Sequence, residues 1–246
     1  MLIVRPENIL RKTWMCRVLA ALVDDPVLMQ HLRFKGGTCA AMRGFLDRFS
    51  VDLDFDVLGA RVMLPALRRR CARVFHDVGL TVSASSANTL QFFLKYTAGP
   101  RQRTTLKVDG LIPPPKANEY EPAYLPDIDR IAWCHTRETM VANRLVAPLD
   151  RFEQRGGVAG RDIYDIHAFL SHGFAYAEPV IRERRRQPMP AFFRDLIAFV
   201  EQHITATTID QDLNTLLPLA EFKRIRSRLK DETLMLLRTE LERVRS

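Results

Sequence analysis

The segment at positions 50–57 constrains the fold most, because its polar and apolar residues alternate throughout: it reads Ser-Val-Asp-Leu-Asp-Phe-Asp-Val. A period of two indicates a β-strand with one apolar face and one polar face. The polar face collects three carboxylates, those of Asp52, Asp54 and Asp56. Like charges this close repel one another unless cations or arginines compensate them, so we expect this face to have a partner.

A Gly-Gly-Thr turn, formed by Gly36, Gly37 and Thr38, precedes this strand. Two glycines let the backbone turn tightly, a helix that begins there would direct its N–H groups at an anion, and the Thr38 hydroxyl would add a donor. Asp52 and Asp54 suit Mg²⁺, or Mn²⁺, which also takes oxygens from a triphosphate. Each feature alone also fits an ordinary turn or a solvated strand face. Their combination and order favour metal-dependent nucleotidyl transfer from an NTP.

The size and charge of the chain are compatible with that chemistry. It has 246 residues, 47% of them hydrophobic, which suffices for one large domain or two small ones and excludes global disorder. Lys and Arg outnumber Asp and Glu by 37 to 29, giving a net charge of +8. Such a surplus suits a polyanionic partner such as RNA.

The cysteines and the apolar stretches indicate the compartment. Four cysteines are scattered without a C-x-x-C pair or a ligand-like spacing to the histidines, so neither a disulfide framework nor a zinc site is indicated. Charged residues interrupt the N-terminal apolar stretch, and no apolar run approaches the roughly 20 residues that span a bilayer. We therefore expect a cytoplasmic protein with reduced thiols and no membrane segment.

Hydrophobic periodicity divides the chain into two parts. The first part has helical patterns at 7–23 and 60–77 and strand-like segments at 81–86, 89–97 and 104–109. A proline-rich connection at 113–127 follows, then helical patterns at 137–152, 161–172, 190–204 and 218–244. We predict an α+β fold, in which residues 1–112 form a catalytic domain with a small mixed sheet flanked by helices. Residues 128–246 are expected to form a mostly helical domain that contributes to the cleft.

Two motifs give the chain a family resemblance. The run FKGGTCAAMRGFLDRFSVDLDFDV resembles the motif of the AbiEii/AbiGii toxin family, within the DNA-polymerase-β-like nucleotidyltransferase superfamily. That family reads K-G-G-T, a short helix, then R-F-S-x-D-L-D-F-D, which match positions 35–38 and 48–56. Its A-E-K-L helix and R-D-x-x-D signature correspond to Ala-Asn-Arg-Leu at 142–145 and Arg-Asp-Ile-Tyr-Asp at 161–165. The resemblance implies a nucleotidyltransferase-type sheet and an EC 2.7.7-type activity.

The first motif implies roles for the residues that match it. Nucleotide phosphates would be bound by Lys35, Gly36, Gly37 and Thr38. Asp52 and Asp54 would be catalytic and ligate Mg²⁺. The superfamily often takes a third carboxylate from a later strand, which here would be Asp109 as a further metal ligand. A turn-forming aspartate before Gly110 is the alternative.

The second signature implies residues from the helical half. Arg144 stands where the family has a lysine that meets the triphosphate; arginine keeps the charge, but the two side chains are not interchangeable. Asn143 replaces the family's glutamate. Asp162 and Asp165 lie three apart on one helical face, and the family's functional carboxylate falls on one of them, with Arg161 paired to it or to phosphate. The alternative is a buried ion pair that ties the helical half to the catalytic half.

The resemblance also implies a biological role, the toxin of a toxin–antitoxin or phage-defence pair with a cognate antitoxin as partner. Family members with known acceptors modify tRNA 3′ ends, so tRNA or another RNA is the expected acceptor. Basic clusters at Arg68–Arg70, Arg182–Arg186 and Lys223–Lys230 would follow its backbone, with solvated helix faces as the alternative. Two other functions stay open: transfer to a protein side chain, and non-catalytic nucleotide or RNA binding by the same fold.

Overall fold

The computed structural model describes residues 6–97 and 104–245, which fall into two units. The first unit contains the chain up to Pro114 together with Tyr120–His135. The second contains Pro115–Glu119 and the chain from Thr136 onward. Each unit has its own buried apolar side chains.

The first unit consists of a mixed sheet and the helices that border it. Its strands are β1 (Leu32–Lys35), β2 (Asp52–Val57), β3 (Thr81–Ser85), β4 (Leu90–Lys95), β5 (Thr105–Leu111), β6 (Tyr120–Leu125) and β7 (Arg130–His135). Its helices are α1 (Ile9–Asp24), α2 (Pro26–His31), α3 (Gly36–Met42) and α4 (Leu64–Asp77). Within the described ranges the strand order is β3-β4-β5-β2-β1-β7-β6, with β2–β5 and β1–β7 parallel and the other pairs antiparallel. The predicted α+β class with a mixed sheet is confirmed.

The alternation in the sequence decides which face of β2 is buried. Leu53, Phe55 and Val57 are at most 2% exposed, and the aspartates occupy the other face. Helix α1 contacts β2, β5 and β7, while α4 contacts β3 and β4. Full burial of one large apolar side chain stabilises a fold by about 1.5–3 kcal/mol, so a one-residue slip of β2 would be costly. Burial therefore fixes where the three aspartates lie.

The boundary between the units differs from the expected connection at 113–127 and second domain at 128–246. Strand β6 lies inside the proline-rich segment and pairs with β7, and β7 pairs with β1 at Phe34 and Cys134. Pro122 is compatible with this strand because β6 is at the edge of the sheet, where a missing backbone donor is tolerated. Strand pairing thus places 120–135 in the first unit.

The second unit is helical, in agreement with the predicted fold class. Its helices are α5 (Arg137–Arg155), α6 (Gly160–Ser171), α7 (Glu178–Arg185), α8 (Met189–His203), α9 (Ala206–Leu213), α10 (Leu219–Ile225) and α11 (Leu229–Arg243). The single helix predicted at 218–244 is two helices, α10 and α11. Helices α7 and α9 were not predicted from the sequence, because each has only eight residues, too few for a distinct hydrophobic period.

Several side chains of the basic clusters contact groups within the protein, and RNA binding by these clusters stays a prediction. Arg184 contacts Asp150 at 2.5 Å, and Arg185 contacts Glu153 at 2.6 Å. The ammonium of Lys230 donates to two carbonyl oxygens at the C-terminal end of α8, each at 2.8 Å. Cations there complement the partial negative charge of a helix end. These side chains therefore stabilise the helical unit.

Two further expectations concern thiols and membrane segments. All four cysteines are free thiols, and three of them are buried. Among the helices that the structure describes, none combines the length and the apolar character needed to cross a bilayer.

Candidate active site

Strand pairing gathers three of the predicted carboxylates on one face of the sheet. Asp54 of β2 lies beside Asp109 of the parallel strand β5, and Asp52 lies beside Lys107. On the other side of β2, Lys35 of β1 is the partner of Asp54. Directly opposed residues on neighbouring strands share a face, so these five side chains form one cross-strand cluster.

The glycine turn lies close to this cluster. Gly36 has φ +77°, and a Cβ built on it would lie 2.6 Å from Oδ2 of Asp54. A Cβ on Gly37 would lie 2.7 Å from Nη2 of Arg48 and 3.1 Å from the hydroxyl of Ser50. The two glycines are therefore required for different reasons, Gly36 by backbone conformation and carboxylate contact and Gly37 by side-chain crowding. Helix α3, which begins here, has only seven residues.

Thr38, for which phosphate binding stays a prediction, makes a contact inside the protein. Its side chain is fully buried, and its hydroxyl donates to the backbone carbonyl of Asp52 at 2.5 Å. In this arrangement its proton is not available to a phosphate. Thr38 instead attaches α3 to the start of β2 and so helps to position Asp52.

The carboxylate cluster carries an electrostatic cost that a cation would relieve. Burial and the negative charges of Asp52 and Asp109 raise the pKa of Asp54, although Lys35 and Lys107 oppose the shift. Lys107 is hydrogen-bonded to Asp109, whose carboxylate also accepts from Gln91 at 3.3 Å. The positive charge of Lys107 therefore already compensates part of the cluster.

The donor types in this cluster fit a hard divalent cation. Asp52, Asp54 and Asp109 offer carboxylate oxygens, the ligands that Mg²⁺ and Mn²⁺ take up in proteins. In residues 6–97 and 104–245, no three His, Cys, Asp or Glu side chains are already spaced as a metal-binding group. Lys107 and Gln91 both contact Oδ2 of Asp109, so neither of these contacts occupies its Oδ1.

A second polar cluster, around Asp56, was not found in the sequence. Asp56 is fully buried, and its carboxylate contacts Nζ of Lys35 at 2.5 Å, Nε2 of His135 at 2.7 Å and the hydroxyl of Tyr120 at 2.9 Å. Burial alone would raise the pKa of Asp56, but the hydrogen bond from His135 and the charge of Lys35 hold that pKa well below its ordinary value. Lys35, for which phosphate binding stays a prediction, is thus an ion-pair partner of Asp56.

The second signature forms a buried ion-pair network inside the helical unit. Arg144 of α5 contacts Asp162 at 2.8 Å and Asp165 at 2.9 Å, and Arg151 contacts Asp162 at 3.0 Å. Both aspartates of α6 are fully buried. Burial acts to raise the pKa of Asp162, but the charges of Arg144, Arg151 and Arg161 outweigh it and the pKa is lowered. These contacts tie α6 to α5, both in the helical unit.

Asn143, which stands where the family has a glutamate, also has contacts that suit its side chain. Its amide nitrogen donates to Oδ1 of Asn118 at 2.9 Å, and its amide oxygen accepts from Arg184 at 2.6 Å. A neutral amide can donate and accept at the same time, which a glutamate carboxylate cannot.

We expect Arg144→Ala to lower the free energy of unfolding by about 3–5 kcal/mol, because it removes an arginine that pairs with two buried carboxylates. Arg144→Lys should lose less, since it keeps the charge but not the fork that joins both carboxylates. Urea unfolding of both variants measures this. The exposed Arg155 on the same helix provides the control, and Arg155→Ala should change stability by less than about 0.5 kcal/mol. An unchanged Arg144→Ala midpoint would contradict the network's structural importance.

Gly36→Ala should reduce nucleotidyl transfer about a hundredfold, because the added methyl displaces the Asp54 carboxylate. Gly44 is a matched control: its φ of +78° nearly equals that of Gly36, but a Cβ there meets no atom within 4 Å. Both alanine variants should lose about 1–2 kcal/mol from backbone strain. Activity and thermal unfolding of the pair separate strain from carboxylate displacement. Equal activity in the two variants would disprove the contact's importance.

Comparison with known proteins identifies the family of the chain. A family model described as nucleotidyl transferase AbiEii toxin, type IV toxin–antitoxin system, matches residues 17–242. No curated protein matches the chain.

Two solved structures illustrate the likeness in fold. JHP933 from Helicobacter pylori is similar with a TM-score of 0.57 and 16% identity, over 99% of this chain and 95% of that chain. MenT4, a nucleotidyltransferase toxin from Mycobacterium tuberculosis H37Rv, is similar with a TM-score of 0.56 and 18% identity, over 98% and 89% of the two chains. At such identities the structures support the fold alone, but the family model covers most of the sequence. The chain therefore belongs to the AbiEii family of nucleotidyltransferase toxins of type IV toxin–antitoxin systems.

Proposed function

We propose that this protein transfers a nucleoside monophosphate from an NTP to a hydroxyl at the 3′ end of tRNA, and that a cognate antitoxin counteracts the effect. The single observation that carries the proposal is the contact between Gly36 and Asp54, with Asp109 beside it. A backbone that can approach phosphate lies against carboxylates that can hold a divalent cation, which is the arrangement that nucleotidyl transfer needs.

In the proposed reaction, the acceptor hydroxyl loses its proton to solvent and its oxygen bonds to the α-phosphorus of the NTP. The bond from that phosphorus to the oxygen it shares with the β-phosphorus breaks, and pyrophosphate leaves. Asp52 and Asp54 would hold Mg²⁺ or Mn²⁺, with Asp109 as a third ligand. When bound, such a cation neutralises charge on the phosphates and lowers the pKa of the acceptor hydroxyl. Gly36 and Gly37 would keep the turn free of side chains so that the triphosphate can approach.

The second unit contributes to this proposal through its signature residues. Arg144 and Arg161 are proposed contacts for the triphosphate, as in the family motif. Asp162 and Asp165 hold Arg144 by two ion pairs, so their proposed role is to fix the orientation of its guanidinium. Proposed phosphate binding by Arg144 and its observed ion pairs are compatible, because a guanidinium has five N–H donors.

The test is to incubate the purified protein with each labelled NTP and total tRNA, in Mg²⁺, in Mn²⁺ and in EDTA. We expect label on tRNA in the presence of the metal and none in EDTA. A parallel reaction with cell protein in place of tRNA examines the alternative acceptor. Label on protein alone would favour a side-chain acceptor, and NTP binding without any labelling would favour a non-catalytic binder.

A further inference from the structure

The polar face of the first unit's sheet continues past the carboxylates onto an exposed apolar surface. Phe34 and Cys134 are partners on β1 and β7, so by alternation Trp133 and Ile131 share the face of Asp54. On the neighbouring strand β6, Tyr124 is the partner of Ile131. We call Tyr124, Ile131 and Trp133 the aromatic strip. Their side chains are 57%, 63% and 40% exposed, respectively.

The two aromatic rings of this strip are held in place. The guanidinium of Arg33 lies 5.2 Å from the centre of the Trp133 ring, and its Nη1 donates to the carbonyl oxygens of Met29 and Leu32. The hydroxyl of Tyr124 donates to Asp129 at 2.8 Å. Exposed rings with fixed orientation and an adjacent arginine are the groups on which unpaired bases stack in nucleic-acid-binding proteins.

The position of the strip relative to the carboxylates can be derived from sheet geometry. Strand β1 lies between β2 and β7. His135 of β7 is level with Lys35 of β1, which is the partner of Asp54, and Trp133 lies two residues before His135. With about 4.8 Å between strands and 3.3 Å per residue, Trp133 is about 12 Å from Asp54 at the level of the backbone. Stacked bases are about 3.4 Å apart, so this distance corresponds to three or four bases.

We propose that the aromatic strip is the platform on which the unpaired bases of an RNA acceptor stack, so that its terminal hydroxyl reaches Asp52 and Asp54. The inference rests on the proposed function, which it extends by assigning a surface to the acceptor. A nucleic acid is favoured as the occupant because the strip is continuous with the carboxylate face, has Arg33 over the ring of Trp133, and belongs to a chain of net charge +8. Stacking is tolerant of base identity, so specificity would come from elsewhere.

Fluorescence provides a direct binding test. The chain has two tryptophans, so Trp14→Phe leaves Trp133 as the only one. Titration with a single-stranded RNA of about ten nucleotides should quench Trp133 to saturation, because a base stacks on its ring. Tyr124→Ala in this background should weaken the affinity about tenfold, the effect of losing one stacked base. Tyr124→Phe keeps the ring and should bind nearly as well as its parent.

Activity provides the second test, with tRNA as the varied substrate. Trp133→Ala should raise the KM for tRNA about tenfold while the KM for NTP stays within about twofold. Trp133→Phe should keep most of the acceptor affinity, because phenylalanine also offers a ring on which a base can stack. A purely structural role of Trp133 would not make acceptor affinity depend on an aromatic ring. Val62, which is 84% exposed and outside the strip, is the control, and Val62→Ala should behave like wild type.

The outcomes separate the two proposals. Quenching of Trp133 by RNA without any nucleotide transfer would support the strip as an RNA platform and overturn the proposed function. If the protein transfers nucleotide to tRNA, but Trp133→Ala leaves the KM for tRNA unchanged and RNA does not quench Trp133, the proposed role of the strip alone would be overturned. A change of oligomeric state in Trp133→Ala at unaltered RNA affinity would also overturn it, in favour of a protein interface.

Discussion

Replacing Asp54 with asparagine is expected to lower nucleotidyl transfer by at least about a hundredfold while leaving the protein as stable as wild type or more stable in metal-free buffer at neutral pH. Transfer falls because the amide is a weaker ligand for a divalent cation than a carboxylate. Stability is retained because asparagine removes the repulsion from Asp52 and Asp109 that raises the pKa of Asp54.

The stability gain of Asp54→Asn should depend on pH in a defined direction. Since the folded pKa is raised above the ordinary 3.8, the ionised carboxylate destabilises the folded state at pH values above that folded pKa. As pH falls through it, Asp54 takes up a proton in the wild type and the difference between the two proteins disappears. Thermal midpoints in EDTA from about pH 7 down to pH 4 measure this. Asp47→Asn, at an exposed position of the same unit, is the control for loss of charge.

A different result would change the interpretation of the cluster. If Asp54→Asn unfolds at lower temperature than wild type, and wild type has no metal-dependent activity, the aspartates of β2 are structural. Retained stability without transfer is the outcome that places Asp54 in the chemistry.

Asp56→Asn should lower the free energy of unfolding by about 3 kcal/mol or more, although Asp56 is only two residues from Asp54. The Asp56 carboxylate is fully buried against Lys35 and His135, and the neutral amide removes the negative charge that both of them contact. Breaking one side of a buried ion pair is costly because the remaining charge stays desolvated. The two aspartates of the same strand face are thus expected to respond in opposite directions.

The pH dependence of Asp56→Asn is also opposite in sign. The folded pKa of Asp56 is depressed below 3.8, so its stabilisation is complete above the unfolded value and is lost as pH falls through the folded one. Urea unfolding should show a constant difference between wild type and variant from about pH 7 to pH 5, and a smaller one below about pH 4. Asp77→Asn, with 65% of the side chain exposed, should be nearly neutral. Equal stability of wild type and Asp56→Asn at neutral pH would contradict the buried cluster.

The sequence by itself determined the features that depend on a few consecutive residues. The alternation at 50–57 fixed β2 and the face of its aspartates, because burial of the apolar face allows only one register. The Gly-Gly pair fixed the turn, since positive φ at Gly36 is accessible at low cost only to glycine. The motif around them was sufficient to indicate the family.

Only the tertiary structure decided which of these residues meet. Asp109 lies beside Asp54 because β2 and β5 pair in parallel, and His135 reaches Asp56 across 79 positions of sequence. The sequence gives no local signal for such contacts, because register between distant strands is set by packing of the whole sheet. The fold also decides which groups of the protein Lys35 and Thr38 contact. Both belong to the K-G-G-T motif, but nothing in that motif shows that Lys35 pairs with Asp56 or that Thr38 donates to the carbonyl of Asp52.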